Sequence, residues 1–357
     1  MVKILLLDLG KIMRGGQRQV FYLARHLTRT PGFSPLVAVP KNAPLISLVQ
    51  EAEIPFVTLP SSSDYNPLNT LKLRSIIKTF KPDIVHTNDA KGASLAAFAK
   101  KMSGSAFKLV HSRRVSYRLK PGWSKKKYLH GDAVVAVSRE IEEVLISCGI
   151  PKEKTSTIHS GIDASMYPTE SRKHPVLTIG AVGALSEQKG FEVLIEALGH
   201  LKDNQSMPDW QCMIAGDGPL RHELKLLAEK LDLARSILFL GYRDSREVLP
   251  EMDILTIPSI DGEGSNAVIK EGWATQTPVI TSDLPSNLEL VTHEHDGLVF
   301  SNKDARELAS AIVRLVNDPE LAHRMVENGS ESVMRYTDQT MAEQYIALYG
   351  RLLNHPA

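Results

Sequence analysis

The sequence of 357 residues has few cysteines, few aromatic residues and no long apolar run, and each scarcity excludes a class of protein. Cys148 and Cys212 lie in unrelated segments, so we expect neither a zinc site nor a disulfide framework but two reduced thiols in a cytoplasmic protein. Aromatic residues make up 6% of the chain, and no run of about 18 apolar residues occurs, which excludes a membrane-spanning class. No D-x-D pair occurs, and we expect no bound metal or cofactor.

The sequence also lacks an excess of basic or acidic residues. The chain has 42 basic and 41 acidic residues, a net charge of +1, so it lacks the overall positive field with which nucleic-acid binders attract phosphate. Any anion site must therefore be local. Neither half of the chain has a G-x-G-x-x-G after its first strand, which disfavours a dehydrogenase.

What the sequence does have is an alternation of short aliphatic runs with amphipathic stretches of helical length, which predicts parallel strands covered by helices on both faces. In the first half we predict strands at Val2–Leu9, Pro35–Val39, Phe56–Leu59, Asp83–Thr87, Lys108–His111, Ala133–Val137 and Ser156–His159. The helices predicted between them include Gln17–Thr28, Leu68–Phe80, Lys91–Lys101 and Arg139–Cys148.

A polar stretch with two prolines near residue 168 predicts a linker, after which the alternation restarts. We predict strands at Leu177–Val182, Cys212–Ala215, Ile237–Leu240, Ile254–Ile257, Val279–Thr281 and Leu298–Phe300, with helices at Gly190–Leu201, Leu220–Leu231 and Ser265–Ala274. Only helical patterns follow Asp304. The expected α/β architecture is a first domain at 1–168, a second at 169–336, and a terminal helix at 337–357 that packs back toward the first. Ligands should bind in a cleft between the carboxyl ends of the two sheets.

Two strand-to-helix turns are suited to a phosphate or a sugar. Gly15 and Gly16 come just before the first predicted helix, where backbone N–H groups can approach a ligand closely; a plain tight turn is the alternative. Lys189 stands in the corresponding turn of the second half, where a lysine can pair with a diphosphate; an ordinary surface lysine is the alternative.

A pair of carboxylates is the sharpest signal in the chain. Glu263 follows a predicted strand, and Glu271 comes eight positions later in a predicted helix. At a rise of about 1.5 Å per residue, the two would lie roughly 12 Å apart along the helix axis. One carboxylate could then hold a sugar and the other a ribose, with the helix N-terminus facing a diphosphate between them. A capping residue followed by a solvated glutamate is the alternative.

The segment from His111 to His130 mixes basic and aromatic residues, a composition that binds anionic sugars, phosphates or a membrane surface. Because Arg113 and Arg114 follow a predicted strand of the first domain, we expect them to lie near the cleft. A solvated basic loop is the alternative.

Several motifs in a fixed order resemble the retaining glycosyltransferases of family 4, which have the two-domain GT-B architecture: two Rossmann-like domains that face each other across a cleft. The motifs are Ala136-Val-Ser-Arg-Glu, Ile158-His-Ser-Gly-Ile-Asp163, Lys189-Gly190, Gly216-Asp-Gly-Pro219, Leu240-Gly-Tyr242, Glu263-x7-Glu271 and Thr277-Pro-Val-Ile280. The resemblance covers essentially the whole chain and is strongest from Val176 to Phe300.

The resemblance implies a metal-independent hexosyltransferase that moves a sugar, with retention, from a nucleotide diphosphate sugar to a glycan or lipid-linked acceptor. Such enzymes serve polysaccharide or lipopolysaccharide synthesis, so we expect a cytoplasmic protein with peripheral contact to the inner membrane surface. On the donor side, the resemblance implies that Glu263 binds the sugar with Gly264 and Ser265, that Glu271 binds the ribose, and that Lys189 neutralises the diphosphate. It also implies that Gly15 and Gly16 close the pocket and that Tyr242 and Arg243 contact the nucleobase. On the other side of the cleft, where this family binds acceptors, it implies that Arg113 and Arg114 bind an acidic or phosphorylated glycan.

Two positions depart from the family pattern. Ala184 stands where an arginine or another polar residue is usual, and Asn88 stands where a histidine is common, although its amide can still hydrogen-bond a sugar hydroxyl in the catalytic loop. Two other functions therefore stay open at this point: a sugar-nucleotide epimerase on the same fold, and a non-catalytic scaffold that binds nucleotide sugars.

Overall fold

The structure is a computed structural model that describes residues 1–103, 106–170, 175–262 and 264–353. The chain divides into two compact units. Unit 1 consists of residues 1–161 together with the last helix, and unit 2 consists of residues 162–337. The division falls at residue 161, whereas the sequence predicts a boundary at residue 168.

Unit 1 is built on seven parallel strands. They are β1 (Val2–Leu7), β2 (Phe33–Pro40), β3 (Phe56–Leu59), β4 (Ile84–Thr87), β5 (Lys108–Arg113), β6 (Ala133–Ala136) and β7 (Thr155–Thr157). The helices that connect them are α1 (Gly15–Arg29), α2 (Leu45–Glu51), α3 (Pro67–Phe80), α4 (Ala90–Ser103), α5 (Trp123–Leu129) and α6 (Arg139–Ser147). The strand order is β3-β2-β1-β4-β5-β6-β7, so the order reverses between β1 and β4.

The first strand shows why these strands read as nearly continuous apolar runs. Ile4 and Leu6 pack in a core with residues of α1 and α2, while Leu5 and Leu7 pack on the other face with residues of α3 and α4. A strand covered on both faces has no solvent side on which a polar residue would be favoured.

Unit 2 repeats this plan with six parallel strands. They are β8 (Leu177–Val182), β9 (Trp210–Ala215), β10 (Ile237–Gly241), β11 (Ile254–Ile257), β12 (Val279–Ser282) and β13 (Leu298–Phe300). Its helices are α7 (Phe191–Leu201), α8 (Arg221–Lys230), α9 (Ser245–Val248), α10 (Ala267–Ala274), α11 (Pro285–Leu288), α12 (Ala305–Asn317) and α13 (Pro319–Ser332). The order β10-β9-β8-β11-β12-β13 reverses between β8 and β11.

The last helix, α14 (Asp338–Leu352), belongs to unit 1 and packs against α1. Its buried residues Met341, Tyr345, Leu348 and Tyr349 join the core that also holds Ile4 and Leu6. A helix without a strand of its own thus buries its apolar face on the sheet of unit 1.

The predicted α/β alternation is confirmed, with ends that differ by a few residues and four helices that the sequence analysis did not identify. Two of them, α9 and α11, have four residues each. The other two are α2 and α5, and α5 lies inside the basic segment that we considered as a solvated loop. The predicted helix at Ser265–Ala274 begins later, at Ala267, because Asn266 caps it by accepting a hydrogen bond from the Val268 N–H at 3.2 Å.

Candidate functional site

Each unit has a point where its strand order reverses, and in open parallel sheets ligands bind outside the carboxyl ends of the strands at that point. In unit 1 these ends belong to β1 and β4, and in unit 2 they belong to β8 and β11.

At the edge of unit 1, the buried carboxylate of Asp8 holds the turn after β1. It accepts hydrogen bonds from the Gly10 N–H at 2.8 Å, from Gln17 Nε2 at 3.0 Å and from Asn88 Nδ2 at 3.2 Å. The side chain therefore ties the first residues of α1 to the end of β4. Sequence analysis did not single out Asp8; its position directly after the first apolar strand was the available signal.

Asn88 connects this carboxylate to two other predicted site residues. Its Nδ2 also donates to the Gly16 carbonyl at 2.8 Å, and its Oδ1 accepts from Arg114 Nη2 at 2.7 Å. Arg114 Nη1 in turn donates to Ser160 Oγ at 3.1 Å. The structure thus brings Asn88, Gly16 and Arg114 into one network. Their roles in binding and catalysis stay predictions.

The two adjacent glycines have different surroundings. A Cβ atom on Gly16 would lie 3.4 Å from Cδ of Arg114, at van der Waals contact. A Cβ atom on Gly15 would meet nothing within 4 Å. Gly16 therefore packs beside Arg114, while Gly15 faces open space in the described part of unit 1.

Asp89 immediately precedes α4 and also faces this edge. Its Oδ1 accepts from the N–H groups of Lys91 and Gly92 at 2.8 and 2.9 Å, and its Oδ2 accepts from the Leu9 N–H at 2.7 Å. Burial and the nearby Asp8 raise the pKa of Asp89 to about 6, against the bonds from these N–H groups. Asp89 thus caps the N-terminus of α4, and its carboxyl group is a weaker acid than usual. Sequence analysis did not identify this residue.

A cavity of about 480 Å³ opens beside this edge of unit 1. Its charged lining residues are Lys11, Arg14, Asp89 and Lys91, and Tyr117 forms part of its wall. The three cations are exposed and have no ion-pair partner among the residues that the structure describes. Sequence analysis did not assign a role to them.

Arg113 occupies a different environment from the one that sequence analysis suggested. Its side chain is buried at 5% exposure, Nη2 donates to the Tyr117 carbonyl at 2.6 Å, and the guanidinium lies 4.8 Å from the centre of the Tyr117 ring. Arg113 therefore holds the loop after β5 in place. Its predicted contact with an acceptor stays a prediction.

A buried polar network lies under the same sheet edge. His86 on β4 contacts Tyr349 Oη at 2.7 Å through Nδ1 and Ser112 Oγ at 2.8 Å through Nε2, and Ser112 Oγ lies 2.9 Å from Tyr345 Oη. Burial and the charge of Arg114 lower the pKa of His86 to about 3. The neutral imidazole thus joins α14 to the sheet.

His111 on the neighbouring strand is buried in the same way. Its Nδ1 lies 2.7 Å from Thr87 Oγ1, and its Nε2 has no hydrogen-bond partner among the residues that the structure describes. Burial lowers the pKa of His111 to about 3. Unit 1 therefore keeps two neutral histidines in its interior.

At the edge of unit 2, Lys189 ends a short 3-10 helix at Glu187–Lys189 in the turn after β8. The carbonyl of Gln188 accepts a hydrogen bond from the Ile260 N–H at 2.8 Å. The following residue, Gly190, has φ +60°, and a Cβ atom there would lie 2.1 Å from the Pro258 carbonyl oxygen. Backbone contact thus holds the Lys189 turn against the loop after β11.

The turn after β9 approaches the turn after β8 equally closely. A Cβ atom on Gly216 would lie 1.7 Å from the Gly183 carbonyl oxygen, and one on Gly218 would lie 2.4 Å from the Leu185 carbonyl oxygen. Glycine is required at both positions because backbone meets backbone. Three loops are therefore packed together at the carboxyl edge of this sheet.

The loop after β11 carries the predicted carboxylate motif. Glu263 lies outside the described residues, while Gly264 and Ser265 are half-buried. Ser265 Oγ accepts from Lys270 Nζ at 2.7 Å, and Lys270 is fully buried with its ammonium 5.0 Å from the centre of the Tyr336 ring. The structure places Ser265 at the start of α10, where Lys270 fixes its hydroxyl.

Glu271 lies on α10 and is buried at 8% exposure. The α10 helix begins at Ala267, two residues later than predicted. Because Glu263 lies outside the described residues, its predicted separation of roughly 12 Å from Glu271 stays a prediction. The assignment of ribose binding to Glu271 stays a prediction.

Comparison with known families assigns both halves of the chain. Residues 13–166 match the family described as Glycosyltransferase Family 4, and residues 169–332 match Glycosyl transferases group 1. The chain is a family 4, group 1 glycosyltransferase. The resemblance inferred from the ordered motifs is therefore confirmed.

Relatives of this glycosyltransferase act in glycan synthesis. One relative is the Escherichia coli UDP-Gal:alpha-D-GlcNAc-diphosphoundecaprenol alpha-1,3-galactosyltransferase. The two sequences are 27% identical over an alignment that covers 70% of each chain. Another relative is the putative colanic acid biosynthesis glycosyltransferase WcaL of Escherichia coli K12. The two sequences are 28% identical over an alignment that covers 67% of this chain and 61% of WcaL.

A solved structure of similar fold is that of Anabaena HepE in complex with UDP, which has 22% sequence identity and a TM-score of 0.83. The match covers 98% of this chain and all of HepE, which has also been solved with UDP-glucose. The predicted fold class of two Rossmann-like domains, shared with GT-B enzymes, is confirmed.

The predicted nucleobase contacts of this glycosyltransferase lie together after β10. Tyr242 is 81% exposed, and Arg243 Nε lies 3.4 Å from Glu247 Oε2. Glu247, four residues later, thus orients the Arg243 side chain, and the Tyr242 ring is accessible to a ligand. Their contact with a base stays a prediction.

Within the described ranges, no group of three or more His, Cys, Asp or Glu residues is arranged to hold a metal ion. His293 and His295, which are two residues apart, have separate partners: the Val299 N–H at 3.0 Å and the Asn328 side chain at 3.1 Å. Over the same ranges, no helix is both long and apolar enough to cross a membrane.

Proposed function

We propose that this glycosyltransferase moves a sugar from a nucleotide diphosphate sugar to a glycan or lipid-linked acceptor in cell-envelope polysaccharide or lipopolysaccharide synthesis. The observation that carries the proposal is the packing of the Lys189 turn against the loop that leads to Gly264 and Ser265. The names of the E. coli galactosyltransferase and of WcaL, and the UDP complexes of HepE, support it.

The donor would bind at the edge of unit 2. Glycine-mediated contact leaves little freedom to the three loops, so the backbone of Lys189 is held in place before a diphosphate arrives. A positioned cation stabilises charge that develops on a leaving diphosphate without reorganising during the reaction. Lys189 would supply that cation, Glu263 with Gly264 and Ser265 would hold the sugar, and Glu271 would hold the ribose.

Transfer would proceed with retention and without a metal or other cofactor. In this mechanism the acceptor hydroxyl attacks from the face that the diphosphate leaves, and its proton passes to the departing phosphate oxygen. The anomeric C–O bond to phosphate breaks as the new glycosidic bond forms. The protein then needs to stabilise charge rather than to supply a base.

Donor binding is tested by thermal shift and calorimetry with UDP-, GDP- and ADP-sugars, because a ligand that binds only the native state raises its melting temperature. We expect one nucleotide class to stabilise the protein, and UDP-sugars are the leading candidates. No response to any of them would contradict the proposal.

The assigned residues are tested by Glu263→Gln and Lys189→Ala. Loss of one positioned electrostatic contact to the transition state typically costs about 10²–10³-fold in kcat, and we expect a loss of that size in each variant. The matched controls are Glu229→Gln and Lys230→Ala on the exposed surface of α8, which should retain full activity.

Retention, metal independence and the need for an acceptor are separate measurements. NMR of the product should show the donor's anomeric configuration, and a chelator should leave the rate unchanged. Turnover of the donor at an equal rate without any acceptor would favour the epimerase instead, and tight donor binding without any turnover would favour the scaffold.

A further inference from the structure

Unit 2 contains a lysine that lies in its interior rather than on its surface. Lys270 is the fourth residue of α10, and it is 0% exposed. A buried ammonium group loses its hydration, and it persists only where other groups take the place of water. The contacts of Lys270 therefore indicate the role of its charge.

Two of these contacts are with Ser265 and Tyr336. Lys270 Nζ donates a hydrogen bond to Ser265 Oγ at 2.7 Å, and the ammonium lies 5.0 Å from the centre of the Tyr336 ring. Tyr336 is itself held in place, because its ring stacks on Trp273 with centres 6.2 Å apart and its hydroxyl donates to the Glu289 carbonyl at 3.3 Å. The ring and the serine hydroxyl together fix the position of the ammonium.

The hydrogen bond between Lys270 and Ser265 can run in only one direction. An ammonium group has three donors and no acceptor, so Ser265 Oγ accepts this bond and cannot donate its own proton to Lys270. The Ser265 hydroxyl donates to no other group among the residues that the structure describes. Since Ser265 is half-buried, its O–H is available to an incoming ligand. Lys270 thus leaves Ser265 as a hydrogen-bond donor.

Ser265 lies at the sheet edge where we place the nucleotide sugar. It stands directly before Asn266, whose side chain caps α10. The N-terminal end of a helix carries a partial positive charge, which favours an anion. The loop that leads to Ser265 also packs against the Lys189 turn, where the Ile260 N–H donates to the Gln188 carbonyl at 2.8 Å. This edge therefore suits an anion before any contact of the Ser265 hydroxyl is considered.

A fixed hydrogen-bond donor distinguishes between the polar parts of a nucleotide sugar. A sugar hydroxyl both donates and accepts, so it can adapt to either orientation of a serine hydroxyl. An ionised phosphate oxygen only accepts, and it binds more strongly to a hydroxyl that a neighbouring ammonium polarises. The direction that Lys270 imposes therefore favours a phosphate as the partner of Ser265.

We infer that Lys270 is a positioning residue, which holds Ser265 Oγ so that its O–H donates to a phosphate oxygen of the nucleotide diphosphate sugar. The inference rests on the proposed function and adds a contact to its donor site. That contact offsets part of the charge stabilisation lost at Ala184, where the family usually has an arginine or another polar residue. A buried ammonium thus acts on the phosphate through a neutral hydroxyl.

The contact is tested by titration with UDP and with uridine, or with the diphosphate and nucleoside of whichever base the thermal-shift screen selects. Lys270→Met keeps a side chain of similar length, and we expect it to weaken UDP about tenfold without affecting uridine, because one charge-assisted hydrogen bond to phosphate is lost. Ser265→Ala should have the same effect, whereas Ser265→Thr retains the hydroxyl and should bind UDP within about threefold of the unaltered protein. An equal loss of affinity for uridine would overturn the inference.

A double-mutant cycle shows whether Lys270 acts through Ser265. If it does, Lys270→Met combined with Ser265→Ala should weaken UDP about tenfold, as each single variant does, because both changes remove the same contact. Independent effects would multiply to about 100-fold and would overturn the inference. The matched controls Lys230→Met and Ser310→Ala, at exposed positions of α8 and α12, should leave both affinities unchanged.

Melting temperatures measured without ligand separate effects on binding from effects on folding. Lys270→Met replaces a buried charge by an apolar group of similar size, so we expect it to fold. If it does not, Ser265→Ala and Ser265→Thr still test the phosphate contact, and equal UDP affinities in these two variants would overturn the inference. The proposed function is tested separately at Lys189 and Glu263. Loss of activity in those variants, with unchanged UDP affinity in Ser265→Ala, would keep the proposed function and reject this inference.

Discussion

The two units share one strand plan but hold their carboxyl edges together in different ways. In unit 1, charged and amide side chains join the loops, as Asp8, Asn88 and Arg114 show. In unit 2, glycines allow the backbone of one loop to touch the backbone of the next, as at Gly190 and Gly216. The comparison shows that one topology can position a site through a polar network or through direct backbone packing.

Glycine substitutions should separate the two edges most strongly. In unit 2, Gly190→Ala places a Cβ atom against the Pro258 carbonyl at a residue with positive φ, so we expect a loss of about 3 kcal/mol or more in unfolding free energy. In unit 1, Gly15→Ala faces open space and should change it by less than about 0.5 kcal/mol. Denaturant unfolding measures both. Similar losses in the two variants would refute the contrast.

Acid should destabilise unit 1 before unit 2. Folding lowers the pKa of His86 and of His111 from the ordinary histidine value of 6.5 to about 3, so between these values the unfolded chain binds more protons. Stability is therefore lost as the pH falls below about 6.5, by several kcal/mol for two buried groups. The raised pKa of Asp89 has the opposite effect on stability, but it concerns one group and a narrower pH range, from about 6 down to 3.8.

The histidines in the described ranges of unit 2 are His200, His222, His293, His295 and His323, and all are exposed. Hydrogen exchange at pH 7 and 4.5, corrected for intrinsic rates, should show lost protection in the strands of unit 1 first. His86→Gln should reduce this sensitivity, whereas His323→Gln should not. Simultaneous loss of protection in both units would contradict the expectation.

The polar network itself is tested at Asn88. Asn88→Ala removes the acceptor of Arg114 Nη2 and the donor to the Gly16 carbonyl, leaving buried groups unsatisfied, at a cost of about 2 kcal/mol. We expect Asn88→His to recover part of that stability. The exposed control Asn42→Ala should have no effect. Chemical denaturation measures all three, and an unchanged midpoint for Asn88→Ala would show that the network is not needed.

The smallest expected effect concerns the contact between α14 and α1 in unit 1. Burial raises the pKa of Asp338, but hydrogen bonds from His26 and Arg25 on α1 outweigh it and lower the pKa below its usual range. Asp338→Asn should therefore cost about 1 kcal/mol at pH 7, and this difference should shrink as the pH falls below about 4. Thermal unfolding over this pH range checks the prediction, and Asp318→Asn in unit 2 is the comparison.

Sequence patterns predicted the strands well because both faces of each strand are covered, so the apolar runs are nearly continuous. They predicted the start of α10 less well, because the capping side chain of Asn266 decides it. At the site, the ordered motifs identified the family and the residues around Lys189. The cations Lys11, Arg14 and Lys91 were missed because residues far apart in sequence meet only where the strand order reverses.

The sequence alone determined the α/β class, the family and the motif residues, because apolar periodicity and ordered motifs are local properties of the chain. Tertiary structure decided that α14 packs on unit 1, that Arg113 is buried beside Tyr117, and that Lys11, Arg14 and Lys91 line one cavity. These features depend on which distant segments come together, and that is set by the packing of the folded sheets.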